Sequence, residues 1–184
     1  MKIAVLNGGS RQGGNTKILT EKLVKGLEVT TFHLEEYTIK PIMDGRHDEG
    51  GFHPVDDDYE SLMEQVMSHD LLIFATPVYW YSMSAAMKLF IDRWSQTMRE
   101  PEYGDFREQM SKKQAFVLAV GGDSPYMKAL PLLQQFQHIF QFVHLPFSGY
   151  VLGQANKPGE IWEDHQALFA ADEMNKKLHT MIKA

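Results

Sequence analysis

Cysteine is absent from all 184 residues. That absence excludes disulfides, thiolate nucleophiles, zinc fingers and cysteine-ligated iron-sulfur clusters, and it makes the cytoplasm the expected compartment. No run of about 20 apolar residues occurs either, so no membrane-spanning helix is expected. The opening MKIAVLNGGS is too short in apolar residues for an export leader, which again points to a protein that stays in the cytoplasm. Positive charge is in deficit. Lys and Arg number 18 against 24 Asp and Glu, a formal charge of -6 that argues against nucleic acid or an anionic membrane as partner. Repeats, low-complexity tracts and linkers are missing too. Apolar residues are not scarce: at 43% hydrophobic and 23% charged the chain lies outside the disordered range, and its length suits a single domain over residues 1–184.

What is present alternates between strand and helix. Lys2 to Asn7 is a short apolar run ending on a glycine turn, after which Asn15 or Thr16 can cap a helix with Ile18, Leu19 and Leu23 on its apolar face. Val29 to Leu34 reads as a second strand. The long polar stretch from Glu35 to about Val55 follows, and a loop of that length is usually functional or mobile. His47, Asp48, His53 and Asp56 match no metal-binding spacing, so this stretch is read as solvated loop. Asp56, Asp57 and Asp58 are placed to cap a helix running through Met67. Leu71 to Ala75 reads as strand, and Ser82 or Ser84 starts a helix carrying Met87, Phe90, Ile91 and Trp94. Pro101 to Lys113 reads as loop, Gln114 to Val120 as strand, Tyr126 to Phe142 as helix, Phe147 to Leu152 as strand, and Glu163 to Ile182 as the closing helix.

Strands that are apolar throughout indicate a sheet covered on both faces, and helical crossovers make such a sheet parallel. The fold class expected is α/β, a flavodoxin-like three-layer sandwich around a five-stranded parallel sheet in the order 2-1-3-4-5. In that order a crevice opens where the first and third strands send their helices to opposite faces. The loops at that edge follow Asn7, Ala75 and Val120, and they hold the most distinctive residues in the chain.

The first loop, NGGSRQGGNT, combines free backbone N-H groups with the hydroxyls of Ser10 and Thr16, the amide of Asn15 and the positive end of a helix. That set suits a phosphate. Gly8 and Gly13 have the spacing of a nucleotide-hydrolase loop, but Gly14 and Asn15 stand where lysine and a hydroxyl are required. The dinucleotide fingerprint fails as well, because Ser10 follows Gly8 where a glycine is needed. A phospho-acceptor domain needs carboxylates where this chain has Asn7 and Ala75. The second loop, Thr76-Pro77-Val78-Tyr79-Trp80-Tyr81, suits a flat heteroaromatic ring, and Gly121-Gly122 permits close backbone approach from the other side.

Together, NGGSRQGGNT and ATPVYWYSMSAAMKLFIDRW closely resemble the NADPH-dependent FMN reductase family and its iron-sulfur flavoprotein relatives over roughly the first 125 residues. The resemblance implies that Ser10, Arg11, Gln12, Gly14, Asn15 and Thr16 hold the FMN phosphate. It further implies that Pro77, Val78, Tyr79 and Trp80 lie along the isoalloxazine, and that Gly121, Gly122 and Asp123 close on the flavin. One departure stands out: after Lys40-Pro41, where iron-sulfur members carry a cysteine cluster, this chain reads IMDGRHDEGGFHPVDDD. The implied activity is hydride transfer from NADPH or NADH through bound FMN to a small acceptor such as a quinone, a flavin, an azo or a nitro compound. No catalytic side chain is required, since the cofactor carries the chemistry. A homodimer or homotetramer is implied as well. The alternatives are a non-enzymatic flavodoxin-like electron carrier and a flavin-sensing interaction protein.

Overall fold

The three central strands are buried except at Pro77 and Gln114, and the computed structural model, which describes residues 1–183 and leaves Ala184 outside, shows what covers them. Strands β1 (Ile3–Asn7), β2 (Val29–His33), β3 (Leu71–Pro77), β4 (Gln114–Gly121) and β5 (Phe147–Gln154) form one parallel sheet in the order β2-β1-β3-β4-β5. Because successive side chains point to opposite faces, each central strand serves two cores. Ile3, Val5, Ile73 and Leu118 pack on α1 (Asn15–Leu23) and α8 (His165–Lys183) through Leu19, Leu23, Ala167 and Ala171. Leu6, Phe74 and Val117 face the other way. They meet α2 (Tyr59–Met67), α3 (Ala85–Asp92), α4 (Trp94–Thr97), α5 (Phe106–Ser111) and, beyond the short α6 (Pro125–Lys128), α7 (Leu130–Phe142). That second core is aromatic: the Phe74 ring lies 4.9 Å from Phe140, 5.8 Å from Phe136 and 6.1 Å from Trp94. No helix among the described residues is long and apolar enough to cross a membrane.

Several elements differ from the sequence reading, each for a local reason. Pro101 to Lys113 is not all loop: a 3-10 turn (Pro101–Tyr103) leads into α5, where Asp105 accepts the Glu108 N-H at 3.0 Å and Phe106 and Met110 bury one helical face. The expected helix from Tyr126 to Phe142 is broken at Ala129 into α6 and α7, with Pro131 in the first turn of α7, where its missing N-H is harmless. Neither Asn15 nor Thr16 caps α1. Gly14 takes that position, without a side-chain bond. Ser84 caps α3 by accepting the Met87 N-H at 3.3 Å. The closing helix begins at His165, after a 3-10 turn at Glu160–Glu163. β3, β4 and β5 each run further than expected, to Pro77, Gly121 and Gln154.

Of the three aspartates before α2, Asp57 and Asp58 tie down the long loop, and Asp57 also accepts an N-H at the helix start. Asp58 occupies the cap position without a side-chain bond to the helix, and its carboxylate accepts the Thr38 N-H at 2.7 Å. Asp57 accepts the Lys40 and Tyr59 N-H groups at 2.9 and 3.1 Å and the Arg93 guanidinium at 2.5 Å. Both side chains of this ion pair are 0% exposed. Arg93 also donates to the Lys40 carbonyl and to Gln96 Oε1, and it lies 4.5 Å from the centre of the Tyr59 ring. Burial alone raises a carboxyl pKa, but here the N-H donors and Arg93 prevail and hold Asp57 below its ordinary value. The ionic clip thus closes the base of the long loop and pins it to the C-terminal end of α3.

Candidate functional site

Parallel strands end at one edge, and hydrogen bonds across that edge set the loops side by side. Gly8 N-H donates to the Ala75 carbonyl at 2.8 Å, Val78 N-H to Val120 at 2.8 Å, and Ala155 N-H to Gly121 at 3.0 Å. Buried Asn7 fixes the first loop by accepting the Gly9 N-H at 2.9 Å, while its amide nitrogen meets His33. Gly8 is required by contact: a Cβ there would stand 2.5 Å from Ser84 Oγ and 3.2 Å from Met87 Cβ at the start of α3.

Two adjoining cavities result, sharing Val78, Gly121, Gly122 and Asn156. The first, of about 220 Å³, is lined by Ser10, Arg11, Asn15 and Thr16 on one side and by Pro77, Val78 and Tyr79 on the other. Among the described residues nothing accepts the N-H groups of Asn15, Thr16 and Lys17 at the start of α1. Three orphan donors, the Ser10 and Thr16 hydroxyls and the exposed Arg11 guanidinium therefore converge on a helix N-terminus, a set fitted to a dianion. Opposite stands an apolar and aromatic wall fitted to a flat ring.

The second cavity, of about 340 Å³, lies beyond Val78 and is lined by Trp80, Tyr81, Asp123, Pro125 and Lys128 as well as by Gly121 and Gly122. Its polar end is a linked group. The Tyr81 hydroxyl donates to Asp123 Oδ2 at 3.0 Å, and Lys128 Nζ donates to both Asp123 oxygens at 2.7 and 2.6 Å. The Lys128 and Tyr81 bonds hold the Asp123 carboxyl below its ordinary pKa, and Asp123 in turn raises that of Lys128.

Of the thirteen residues singled out in the sequence, Ser10, Arg11, Asn15, Thr16, Pro77 and Tyr79 line the first cavity, Trp80 and Asp123 the second, and Val78, Gly121 and Gly122 both. Gln12 and Gly14 line neither. Gly14 instead closes the turn into α1 by donating to the Arg11 carbonyl at 3.0 Å. The Asn15 carboxamide is already engaged: it donates to the Lys157 carbonyl at 2.8 Å and accepts the N-H groups of Gly159 and Ile161. What Asn15 offers the cavity is its backbone N-H. Sequence reasoning missed Ala155, Asn156 and Lys128. The parallel topology is the signal that locates the first two, because the loop after β5 must emerge at the same edge as the others.

The turn that carries Trp80 is strained. Tyr79 and Ser82 exchange N-H to carbonyl bonds at 3.0 Å each, which leaves Trp80 (φ 49°) and Tyr81 (φ 63°) as the two central residues, both left-handed. Glycine or asparagine normally takes such positions, and other residues there cost about 1–3 kcal/mol each.

The profile of the NADPH-dependent FMN reductase family matches residues 1–157. The chain belongs to the NADPH-dependent FMN reductase family. It is 58% identical over 177 residues to the Bacillus subtilis protein YwqN, named as an NAD(P)H-dependent FMN-containing oxidoreductase, a match covering 96% of this chain and 98% of that one. A solved structure of a Trp repressor binding protein from Bacillus subtilis shares 54% identity and superposes with a TM-score of 0.80, over 94% of this chain and 99% of that one. An iron-sulfur flavoprotein of Methanocaldococcus jannaschii is 24% identical over 200 residues, covering all of this chain and 98% of its own. This FMN reductase family member is an NAD(P)H-dependent oxidoreductase with FMN as its cofactor. The donor set fits that group: unpaired amides and hydroxyls for a phosphate, and a slot lined by Pro77, Val78, Tyr79, Gly121 and Gly122 for a ring.

Proposed function

We propose that the FMN phosphate lies among Ser10, Arg11, Thr16 and the free N-H groups at the start of α1, with the isoalloxazine along Pro77, Val78 and Tyr79 and against Gly121 and Gly122. The second cavity then takes the other reactants in turn, NADPH or NADH first and a small organic acceptor afterwards. Bound FMN supplies two-electron hydride chemistry. The chain's own contribution is placement: the N-terminus of α1 and Arg11 offset part of the phosphate charge, the loop after β3 excludes water from one ring face, and the backbone of Gly121 and Gly122 lies close to the ring. We assign the second cavity to a quinone, a free flavin, an azo or a nitro compound, all flat and conjugated. The reading extends to one FMN-binding domain spanning residues 1–184, working in the cytoplasm as a homodimer or homotetramer.

The observation that carries this reading is the shared first cavity, in which orphan helix amides face an aromatic wall. Titration with FMN and with riboflavin tests it. FMN is expected to bind more tightly than riboflavin, and Ser10→Ala with Thr16→Ala to weaken FMN about tenfold or more while leaving riboflavin nearly unchanged, since each lost bond to a charged group is worth roughly 1.5–3 kcal/mol. Equal affinity for the two flavins overturns the phosphate assignment. Addition of NADPH and then NADH to the loaded protein, followed by loss of the oxidised-flavin colour, identifies the donor.

A further inference from the structure

The Trp80 indole is 94% exposed, more than any other large apolar side chain among the described residues, yet the backbone beneath it is tightly fixed. Four contacts hold the turn: the paired Tyr79 and Ser82 bonds, the Tyr81 hydroxyl on Asp123, and the Ser82 hydroxyl on Gln135 Oε1 at 2.9 Å. Two left-handed aromatic residues oppose that arrangement. The facing loop is distorted as well, with Ser124 left-handed at φ 45° directly after Asp123. Strain on both sides of one cavity therefore serves to hold an indole where the chain itself gains almost no contact from it. A partner for that ring must come from outside, and Trp80 stands on the wall of the second cavity.

Resting on the reading above, we propose that Trp80 is a stacking plate for a planar aromatic acceptor, and that Asp123 is the positioning residue that fixes it. Asp123 acts through Tyr81: its carboxylate, anchored by Lys128 on the next element, receives the Tyr81 hydroxyl and so locks the turn's second left-handed residue. The cavity fits such an occupant. Val78, Pro125 and Ala129 give apolar contact, while Lys128 Nζ offers a donor to a ring carbonyl at the polar end. Lys128 is about half exposed, at 48%, and donates two of its three N-H groups to Asp123, so the third can reach a ligand without releasing that carboxylate.

The test uses 2-methyl-1,4-naphthoquinone and the FMN-loaded protein without a hydride donor, so that binding is read without turnover. Trp94 is buried and Trp162 is exposed, so a Trp162→Phe background leaves Trp80 as the solvent-facing emitter. Quenching of its emission by the quinone is expected to saturate. Asp123→Ala should move the midpoint about tenfold upward, Tyr81→Phe should follow it, and Asp123→Asn, which still accepts a hydrogen bond, should restore most of the affinity. In turnover the quinone KM should rise about tenfold in both Trp80→Ala and Asp123→Ala, and the double variant should be no worse than Trp80→Ala. Multiplying effects would mean that Asp123 does not act through Trp80 and would overturn the proposal, as would an unshifted midpoint in Asp123→Ala. Emission from Trp80 that moves with protein concentration and not with quinone gives the plate to a second copy of the chain and equally overturns it. Failure of the wild type to bind FMN is a separate result: it removes the reading in the preceding section, while quinone quenching of Trp80 in the unloaded chain stays measurable.

Discussion

The glycine-rich loop after β1 and the aromatic turn after β3 meet at one crevice, and their backbones run opposite to their compositions. Gly8, Gly9, Gly13 and Gly14 all keep negative φ, whereas the turn with no glycine puts Trp80 and Tyr81 in the left-handed region. Glycine in the first loop serves proximity, since Gly8 lets the chain lie against Ser84 and Met87 and Gly9 lies close to Asn7. Left-handed backbone in the second serves display. One loop is built to bring peptide groups near a ligand and the other to hold side chains away from the protein.

Both loops lean on α3, so the harshest test is to loosen that helix. Asp57→Ala leaves Arg93 buried and unpaired, and its urea unfolding free energy should fall by about 3–5 kcal/mol, with FMN retention lost in parallel. The same pair gives a pH signature. Asp57 is held below its ordinary pKa, so its contribution is present in full above the unfolded value of about 3.9 and disappears as pH falls through the lower folded value. Wild-type stability should therefore decline below about pH 4, and the Asp57→Ala protein should show a flatter acid limb. A matching acid limb in both proteins would remove Asp57 from this account.

Gly8→Ala tests proximity directly. Its new methyl would sit 2.5 Å from Ser84 Oγ, and overpacking of this kind costs about 1–3 kcal/mol. Thermal unfolding and FMN titration should both worsen. A wild-type melting temperature in Gly8→Ala would show that the loop can move aside, and the contact argument for this glycine would fail.

How far this was legible in the sequence follows the same division. Strand order, the crevice and the phosphate-suited loop are readable because apolar runs, glycine turns and helix starts are local signals. The aromatic turn is readable as composition but not as shape, since nothing in Tyr79-Trp80-Tyr81-Ser82 announces two left-handed residues where Asn-Gly is the usual sign. Partners set by long-range folding were hidden as well. Asp57 meeting Arg93, and Asn15 spending its carboxamide on the segment from Lys157 to Ile161, are separated by 36 and by up to 146 residues. The helix at Phe106–Ser111 escapes the sequence pattern for a different reason: a single apolar pair, Phe106 and Met110, gives too short a period to stand out from a polar background.

Strain in the aromatic turn predicts a gain. Trp80→Gly removes a left-handed side chain that contributes little packing, and the folded state should become more stable by about 1 kcal/mol, the relief being partly offset by the greater freedom of glycine when unfolded. Stability and quinone binding should then move in opposite directions. A Trp80→Gly protein less stable than wild type would mean that the indole makes contacts within the fold and that the turn is not held against strain.

The smallest effect separates the glycines from one another. A Cβ on Gly13 meets nothing within 4 Å, its φ is not left-handed, and it lines neither cavity. Gly13→Ala should accordingly raise stability by about 0.4–1 kcal/mol through the unfolded chain alone, leaving the FMN dissociation constant within twofold. Set beside Gly8→Ala five residues earlier in the same loop, the expected sign is reversed. Loss of FMN in Gly13→Ala would show that the loop must flex to admit its ligand, and the loop's contribution would then be freedom of movement instead of close approach.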